Sequence, residues 1–313
     1  MDMLIQVLIL VLGFVMLVKG ADWFVDGAAG VADKLGVPQL VIGLTIVAMG
    51  TSAPEAAVSL TAALKGNADI ALGNVVGSNI LNILIILGIV SVIIATPISK
   101  SIFKVDLPFM LVMSLLVMLL GYMGEDISRL DGGILLVFFV GYLVYLFVDA
   151  KKSGTSNEEE KEENNKPIWQ LILIAVVGLV LIVFGSDFTV DAATKIATEL
   201  GMGTKFIGLT IVALGTSLPE LFTSVAAALK GKSDIAIGNI VGSNIFNILF
   251  ILGTSSVITP INFEPIFLID ALVSVGAGVL LWVMTFKKKH LTRPAGITML
   301  LCYAGYFVYL IMG

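Results

Sequence analysis

Gly50-Thr51-Ser52-Ala53-Pro54-Glu55 returns later in the chain as Gly215-Thr216-Ser217-Leu218-Pro219-Glu220. Each copy lies inside a strongly apolar segment, where a proline and a carboxylate are hardest to accommodate. Proline removes a backbone donor and frees the carbonyl one turn back. In hydrocarbon that carbonyl needs another partner, so a broken helix is tolerated only against protein or a water-filled cavity. An ionisable residue inside a span marks a functional site by default. Here both signals coincide, twice.

The 313 residues are 58% hydrophobic and 13% charged, with a mean hydropathy of +1.05. A soluble domain would carry about a quarter charged residues, so the composition predicts a polytopic membrane protein whose partner is the lipid bilayer and not a nucleic acid. The net charge of −5 is confined to loops and a few buried sites. Cys302 and His290 are the sole cysteine and histidine. That excludes a disulfide, a cysteine-based metal cluster and histidine chemistry within the spans. The chain begins Met-Asp-Met, with no basic stretch and no Ala-x-Ala-like exit, so Leu4 to Val18 reads as part of a retained first span.

A crossing takes roughly 17–25 residues, and ten are expected. They cover about Met3 to Phe24, Pro38 to Leu64, Ile70 to Ile94, Leu107 to Met123 and Gly133 to Val148. The second five cover about Ile168 to Thr189, Lys205 to Leu229, Ile235 to Ile258, Pro265 to Phe286 and Ala295 to Met312. Between the fives, Lys151 to Lys166 is rich in Glu, Lys, Asn and Ser and reads as a solvated linker. Its glutamate run lacks the alternating ligands and glycine of an EF-hand loop. With the N-terminus outside, inner connections hold most of the 18 Lys and Arg residues; only Lys65, Arg129, Lys195 and Lys205 fall outside. The positive-inside rule then predicts both termini outside and the linker in the cytoplasm.

Residues 42–88 align without gaps to 207–253 at an offset of 165, with about 34 of 47 positions identical, the mark of a duplicated unit. Upstream, Asp22 and Asp26 match Asp187 and Asp191. The offset spans five expected helices, an odd number, so the second copy enters from the opposite side. The expected fold is therefore all-α and polytopic, with ten transmembrane helices in two inverted-topology five-helix repeats. Residues 1–150 and 167–313 form the repeats and 151–166 the linker. Inverted repeats with interrupted helices at matching positions are a signature of secondary transporters, with the site at the midplane.

Each repeat carries a second block, Gly73-Asn74-Val75-Val76-Gly77-Ser78-Asn79-Ile80-Leu81-Asn82 and its copy Gly238 to Asn247. The two blocks offer carboxylates, hydroxyls, amides and freed carbonyls, all hard oxygen donors. Such donors suit Ca²⁺, Na⁺, Mg²⁺ or Mn²⁺ and not zinc or copper. Ser78 and Asn82 are four residues apart and share a helix face, as do Ser243 and Asn247. Inversion brings Glu55 and Glu220 together across a pseudo-two-fold axis. Two carboxylates in a low-dielectric core repel unless a cation lies between them or one is protonated. One divalent cation or several monovalent ions would fill that role, and an empty site would resist reorientation.

The two blocks resemble the α-repeats of the sodium/calcium exchanger branch of the cation/Ca²⁺ antiporter superfamily, as found in prokaryotic exchangers. The resemblance covers both repeats, and the ten-span layout covers the chain. It implies a plasma-membrane antiporter that exports Ca²⁺ against entering Na⁺ by alternating access, with no cofactor beyond the transported ions. It implies Glu55 and Glu220 as Ca²⁺ carboxylates, with Thr51 and Thr216 adding backbone carbonyls. Ser52, Ser78, Asn82, Ser217, Ser243 and Asn247 would line Na⁺ sites, with carbonyls from Ala48 and Ala213. Asn74 and Asn239 would either ligate or bond freed backbone carbonyls. Some members carry Asp where this chain has Asn247, including potassium-dependent ones, so the two-carboxylate pocket argues against K⁺ cotransport. Proton-coupled relatives share glutamate-bearing repeats, which keeps H⁺-coupled exchange of Ca²⁺ or another divalent ion as the alternative.

Other classes fit less well. A serine hydrolase would need a base beside Ser52 or Ser217, and no His or Lys lies in the repeat cores. Channel pores usually arise from oligomeric rings, whereas one internally inverted chain suffices for alternating access as a monomer. Asp69 and Asp234 are expected to cap helices. Asp22, Asp26, Asp187 and Asp191 are expected near the ends of the first and sixth helices, as interfacial or capping groups. Asp270 lies within the ninth span and has no evident partner. Trp23, Trp169 and Trp282 read as interfacial anchors. The first and sixth helices are expected to slide over the rest, with Gly20 and Gly185 permitting the motion.

Overall fold

The computed structural model describes residues 3–153, 166–201, 213–287 and 289–312. The chain is an all-α polytopic membrane protein. Helix α1 (Met3–Leu35) leads to α2 (Gln39–Thr51) and α3 (Ala53–Leu64), two halves of one span bent by 52°. Next come α4 (Asp69–Ile93), α5 (Ile102–Gly124) and α6 (Arg129–Ser153). The second half repeats the series as α7 (Ile168–Glu199), α8 (Ala213–Thr216), α9 (Leu218–Leu229), α10 (Ser233–Ile258), α11 (Ile266–Thr285) and α12 (Arg293–Met312). Eight helices are long and apolar enough to cross a membrane, and the bent pair makes nine among the described residues. The expected seventh span is described only through α8 and α9, because its first part falls in residues 202–212, outside the described residues. Most of the acidic linker, 154–165, lies outside them too.

Burial sorts the helices. The apolar window of α10 is 94% buried and that of α4 72%, against 17% for α1 and 22% for α7. Helices α4 and α10 are therefore the centre of the bundle, while α1 and α7 lie at its edge with leucine, valine and phenylalanine turned outward. In hydrocarbon an outward apolar face has nothing to gain by burial, so close backbone packing decides which helices touch. Helices α1 and α7 cross on glycines. A Cβ on Gly20 would stand 2.8 Å from the Gly178 carbonyl oxygen, and one on Gly185 3.0 Å from that of Gly13.

Two short antiparallel ladders tie the halves together. β1 (Thr96–Pro97) pairs with β4 (His290–Leu291), and β2 (Asp126–Ile127) pairs with β3 (Ile261–Asn262). The pseudo-symmetry extends beyond the aligned cores, with the offset slipping to 164. Tyr142 donates to Asp106 at 2.9 Å, and Tyr306 donates to Asp270 at 2.8 Å. Arg129 reaches the Ile258 carbonyl as Arg293 reaches that of Ile93.

Several expectations are corrected. Helices α1 and α7 run 33 and 32 residues, well past Phe24 and Thr189. The added turns of α1 are rich in Ala and Gly and bury against neighbours, and those of α7 bury only Ala192 and Ala197, which hydropathy does not register. Asp22, Asp26, Asp187 and Asp191 therefore lie within helices and not at their ends. Asp69 and Asp234 stand in the first turns of α4 and α10 without a side-chain cap bond, so their contribution is charge against the helix dipole. Asp270 has a partner in Tyr306. Trp282 lies near the end of α11, as expected, and donates its indole N–H to the Phe103 carbonyl at 3.2 Å.

The symmetry is broken at one face. Lys230, just after α9, lies 2.8 Å from Asp26 and 3.3 Å from Asp22 of α1. The matching residues are Lys65, Asp191 and Asp187, and no ion pair joins them. Helix α1 packs along α9, with the Phe14 and Phe222 rings 6.1 Å apart, while α7 makes no comparable contact with α3.

Candidate ion-binding site

The breaks centre on Ser52 (φ −82°, ψ 9°) and Ser217 (φ −90°, ψ 4°). Both occupy the sparsely populated bridge region frequented by active-site residues. Pro54 and Pro219 fall in the first turns of α3 and α9, where proline's fixed φ suits a helix start. Pro219 leaves the Gly215 carbonyl without its helical donor, and Ser186 of α7 supplies one at 2.7 Å. The same first turns place Glu55 and Glu220 at the positive ends of their half-helices.

The glutamates are each 1% exposed and are bound crosswise. Ser52 donates to Glu220 Oε1 at 2.8 Å, and Ser217 donates to Glu55 Oε1 at 3.5 Å. Asn74 donates to the Glu55 carbonyl at 3.3 Å and to Ser59 at 2.9 Å. Asn239 repeats this with the Glu220 carbonyl at 3.4 Å and Ser224 at 3.0 Å. The amide nitrogens of Asn74 and Asn239 thus hold the glutamate backbones. Thr51 donates to Asn239 Oδ1 at 3.0 Å, and Ser243 donates to the Ala48 carbonyl at 3.3 Å. Thr216 is half-buried and Ser78 buried; Ala213 enters through its place in α8 alone.

Asn82 and Asn247 each open a π-helical turn, Asn82–Leu87 in α4 and Asn247–Ile251 in α10. Such turns are rare and gather at functional sites. The Asn82 turn packs against α9, which carries Glu220, and the Asn247 turn against α3, which carries Glu55. Glu55, Glu220, Ser52, Ser217, Asn82 and Asn247 therefore converge from both repeats, while Ser78 is placed by burial alone.

Four oxygens at this convergence, Glu55 Oε2, Glu220 Oε2, Asn82 Oδ1 and Asn247 Oδ1, are buried without a hydrogen-bond donor. A buried acceptor left unmade costs about 1–3 kcal/mol, more if charged. Four acceptors in symmetric positions, two of them carboxylate, suit a hard cation as the missing partner. Among the described residues no cluster of three or more His, Cys, Asp or Glu occurs, so the donor set is two carboxylates plus neutral oxygens.

Asn79 and Asn244, buried between α4 and α10, were not singled out from the sequence although they stand in the quoted block. The signal was the offset itself, since 79 and 244 differ by 165. Ser59 and Ser224, also 165 apart, carried the same signal, whereas Ser186 was missed because a lone serine in an apolar helix carries no distinguishing pattern.

Fold and site together define a polytopic membrane protein with a buried, oxygen-lined candidate site where its two halves meet. The family model described as sodium/calcium exchanger protein matches residues 5–148 and again 170–312, so the chain belongs to the sodium/calcium exchanger family, a family of cation/Ca²⁺ antiporters. The putative antiporter CaxA of Alkalimonas amylolytica is 38% identical across 97% of this chain and 98% of its own. The sodium/calcium exchanger MaX1 of Methanosarcina acetivorans is 32% identical across 98% of both chains. Among solved structures, the sodium-calcium exchanger NCX_Mj soaked with zero Na⁺ and Ca²⁺ matches with a TM-score of 0.86 at 31% identity, covering 99% of this chain and 100% of that one. With bacterial and archaeal relatives along its whole length, the chain is a multi-pass protein of a prokaryotic plasma membrane.

Proposed function

We propose that this chain exchanges Na⁺ for Ca²⁺ by alternating access and serves to export Ca²⁺. The observation that carries the reading is the set of four donor-less buried oxygens on Glu55, Glu220, Asn82 and Asn247. Ca²⁺ neutralises the two carboxylates, with carbonyls of Thr51 and Thr216 beside them. Na⁺ ions use Ser52, Ser78, Asn82, Ser217, Ser243 and Asn247, with the carbonyls of Ala48 and Ala213. Asn74 and Asn239 position the glutamates through their backbones. Either load stabilises the pocket, and the unloaded pocket resists reorientation because its carboxylates repel.

The Lys and Arg distribution supports termini outside and residues 151–166 as a cytoplasmic linker between repeats 1–150 and 167–313. In that orientation the clamped face at Lys230 is cytoplasmic and the looser face, with Ala53 exposed, is extracellular. Helices α1 and α7, joined on their glycines and poorly buried, form the unit that moves over the bundle.

The test is radiolabelled Ca²⁺ uptake into Na⁺-loaded proteoliposomes, with outward K⁺ or H⁺ gradients as comparisons. Uptake driven by Na⁺ and abolished in Glu55→Gln and Glu220→Gln is the expected result. Uptake driven by H⁺ alone would transfer the chain to the proton-coupled alternative.

A further inference from the structure

We propose that Asn79 and Asn244 are positioning residues that fix which atom of Asn82 and Asn247 faces the ion, making the pocket cation-specific at these two points. The inference rests on the ion-site reading above. The four carboxamides form a circuit across the pseudo-two-fold axis, with Asn79 and Asn244 at its centre and Asn82 and Asn247 each joined to one of them. Asn79 donates its Nδ2 to the backbone carbonyl of Asn244 at 3.4 Å, and Asn244 donates to that of Asn79 at 3.3 Å. Asn82 donates to Asn244 Oδ1 at 2.9 Å, and Asn247 donates to Asn79 Oδ1 at 3.0 Å.

The direction of the circuit follows from its two backbone ends. A carbonyl oxygen only accepts, so Asn79 and Asn244 must present their nitrogens to it and their oxygens the other way. Those oxygens also only accept, so Asn82 and Asn247 must meet them with nitrogens. The remaining atom of each, Oδ1, is left as a buried oxygen without a donor. Flipping either outer amide would oppose two oxygens and turn an NH₂ toward the cation. An asparagine amide has no intrinsic preference between its two ends, so this pair supplies it. All four residues are 2% exposed or less, which keeps water from substituting for the circuit.

Aspartate provides the discriminating variant, because a carboxylate offers oxygen on both sides and needs no orienting partner. The purified full-length protein is titrated with Na⁺ and with Ca²⁺, and binding is read as thermal stabilisation, which does not depend on transport. In the parent, Asn244→Ala is expected to raise the half-maximal Na⁺ concentration about tenfold, the equivalent of one lost hydrogen bond's orienting effect. In an Asn82→Asp background, where a carboxylate oxygen opposes Asn244 Oδ1, the same change removes that repulsion and is expected to leave the half-maximal Na⁺ concentration unchanged or lower it. The charge added by Asn82→Asp is present in both arms of that background and cancels. The mirror cycle, Asn79→Ala with Asn247→Asp, supplies the same comparison should the first set fold poorly. Equal Asn244→Ala effects in both backgrounds would overturn the proposal and leave Asn244 as packing alone. A parent protein stabilised by neither ion would overturn the ion-site reading itself.

Discussion

The Ser52 hydroxyl lies 2.8 Å from Glu220 Oε1, linking the break of one repeat to the carboxylate of the other. Its mirror, Ser217 to Glu55, is 3.5 Å, at the limit of a hydrogen bond. The shorter bond is the stronger one, and bonds to ionised groups contribute about 1.5–3 kcal/mol. Ser52→Ala is therefore expected to weaken Ca²⁺ binding more than Ser217→Ala, measured by calcium titration of the purified variants. Equal losses would show that the difference in distance carries no energetic weight.

Asn239 satisfies three groups, Thr51, Ser224 and the Glu220 carbonyl, and is fully buried. Asn74 satisfies two and is half-buried. Asn239→Leu should destabilise by about 1–3 kcal/mol for the groups left unpaired. Asn74→Leu should cost less, since water reaches its site. Denaturation midpoints in detergent decide between them.

The Asp106–Tyr142 and Asp270–Tyr306 pairs invite a similar comparison. Asp106 is fully buried, whereas Asp270 is half-buried. Tyr142→Phe is expected to lower the melting temperature more than Tyr306→Phe, because Asp106 then loses its nearest donor without access to solvent. A larger effect at Tyr306 would contradict that assignment.

Helix α1 touches α9 at Phe14 and Phe222. In a Cys302→Ser background, Phe14→Cys and Phe222→Cys bridged by a short bifunctional thiol reagent should lock the two helices. Exchange is expected to stop and to survive in the single-cysteine controls. Continued exchange by the bridged protein would refute a moving α1.

Much of this architecture was legible in the sequence because duplication writes itself as identity. Glu55 and Glu220 stood out as acids in apolar runs, and the odd helix count between copies set the inversion. The lengths of α1 and α7 were not legible. Val25 to Leu35 is too rich in Ala, Gly and Asp to read as a span, and its burial depends on neighbours that hydropathy cannot see. The Asn79–Asn244 circuit was hidden for a related reason: its partners lie on helices 165 residues apart, and an asparagine's role depends on which carbonyl it meets. The clamp at Lys230 was beyond reach as well, since Lys65 occupies the equivalent place in an almost identical segment and has no such pair.

At 1.5 Å per residue, α1 and α7 are each about 50 Å long, against a hydrocarbon core of about 30 Å. Helices longer than the core tilt or extend beyond it, and the tilt responds to lipid chain length at a cost of fractions of a kcal/mol per ångström of mismatch. The apolar windows of α1 and α7 are only 17% and 22% buried, so little protein opposes the adjustment. The membrane's thickness thus becomes a variable acting on the pair, and exchange should differ between short-chain and long-chain phosphatidylcholine vesicles at equal ion gradients.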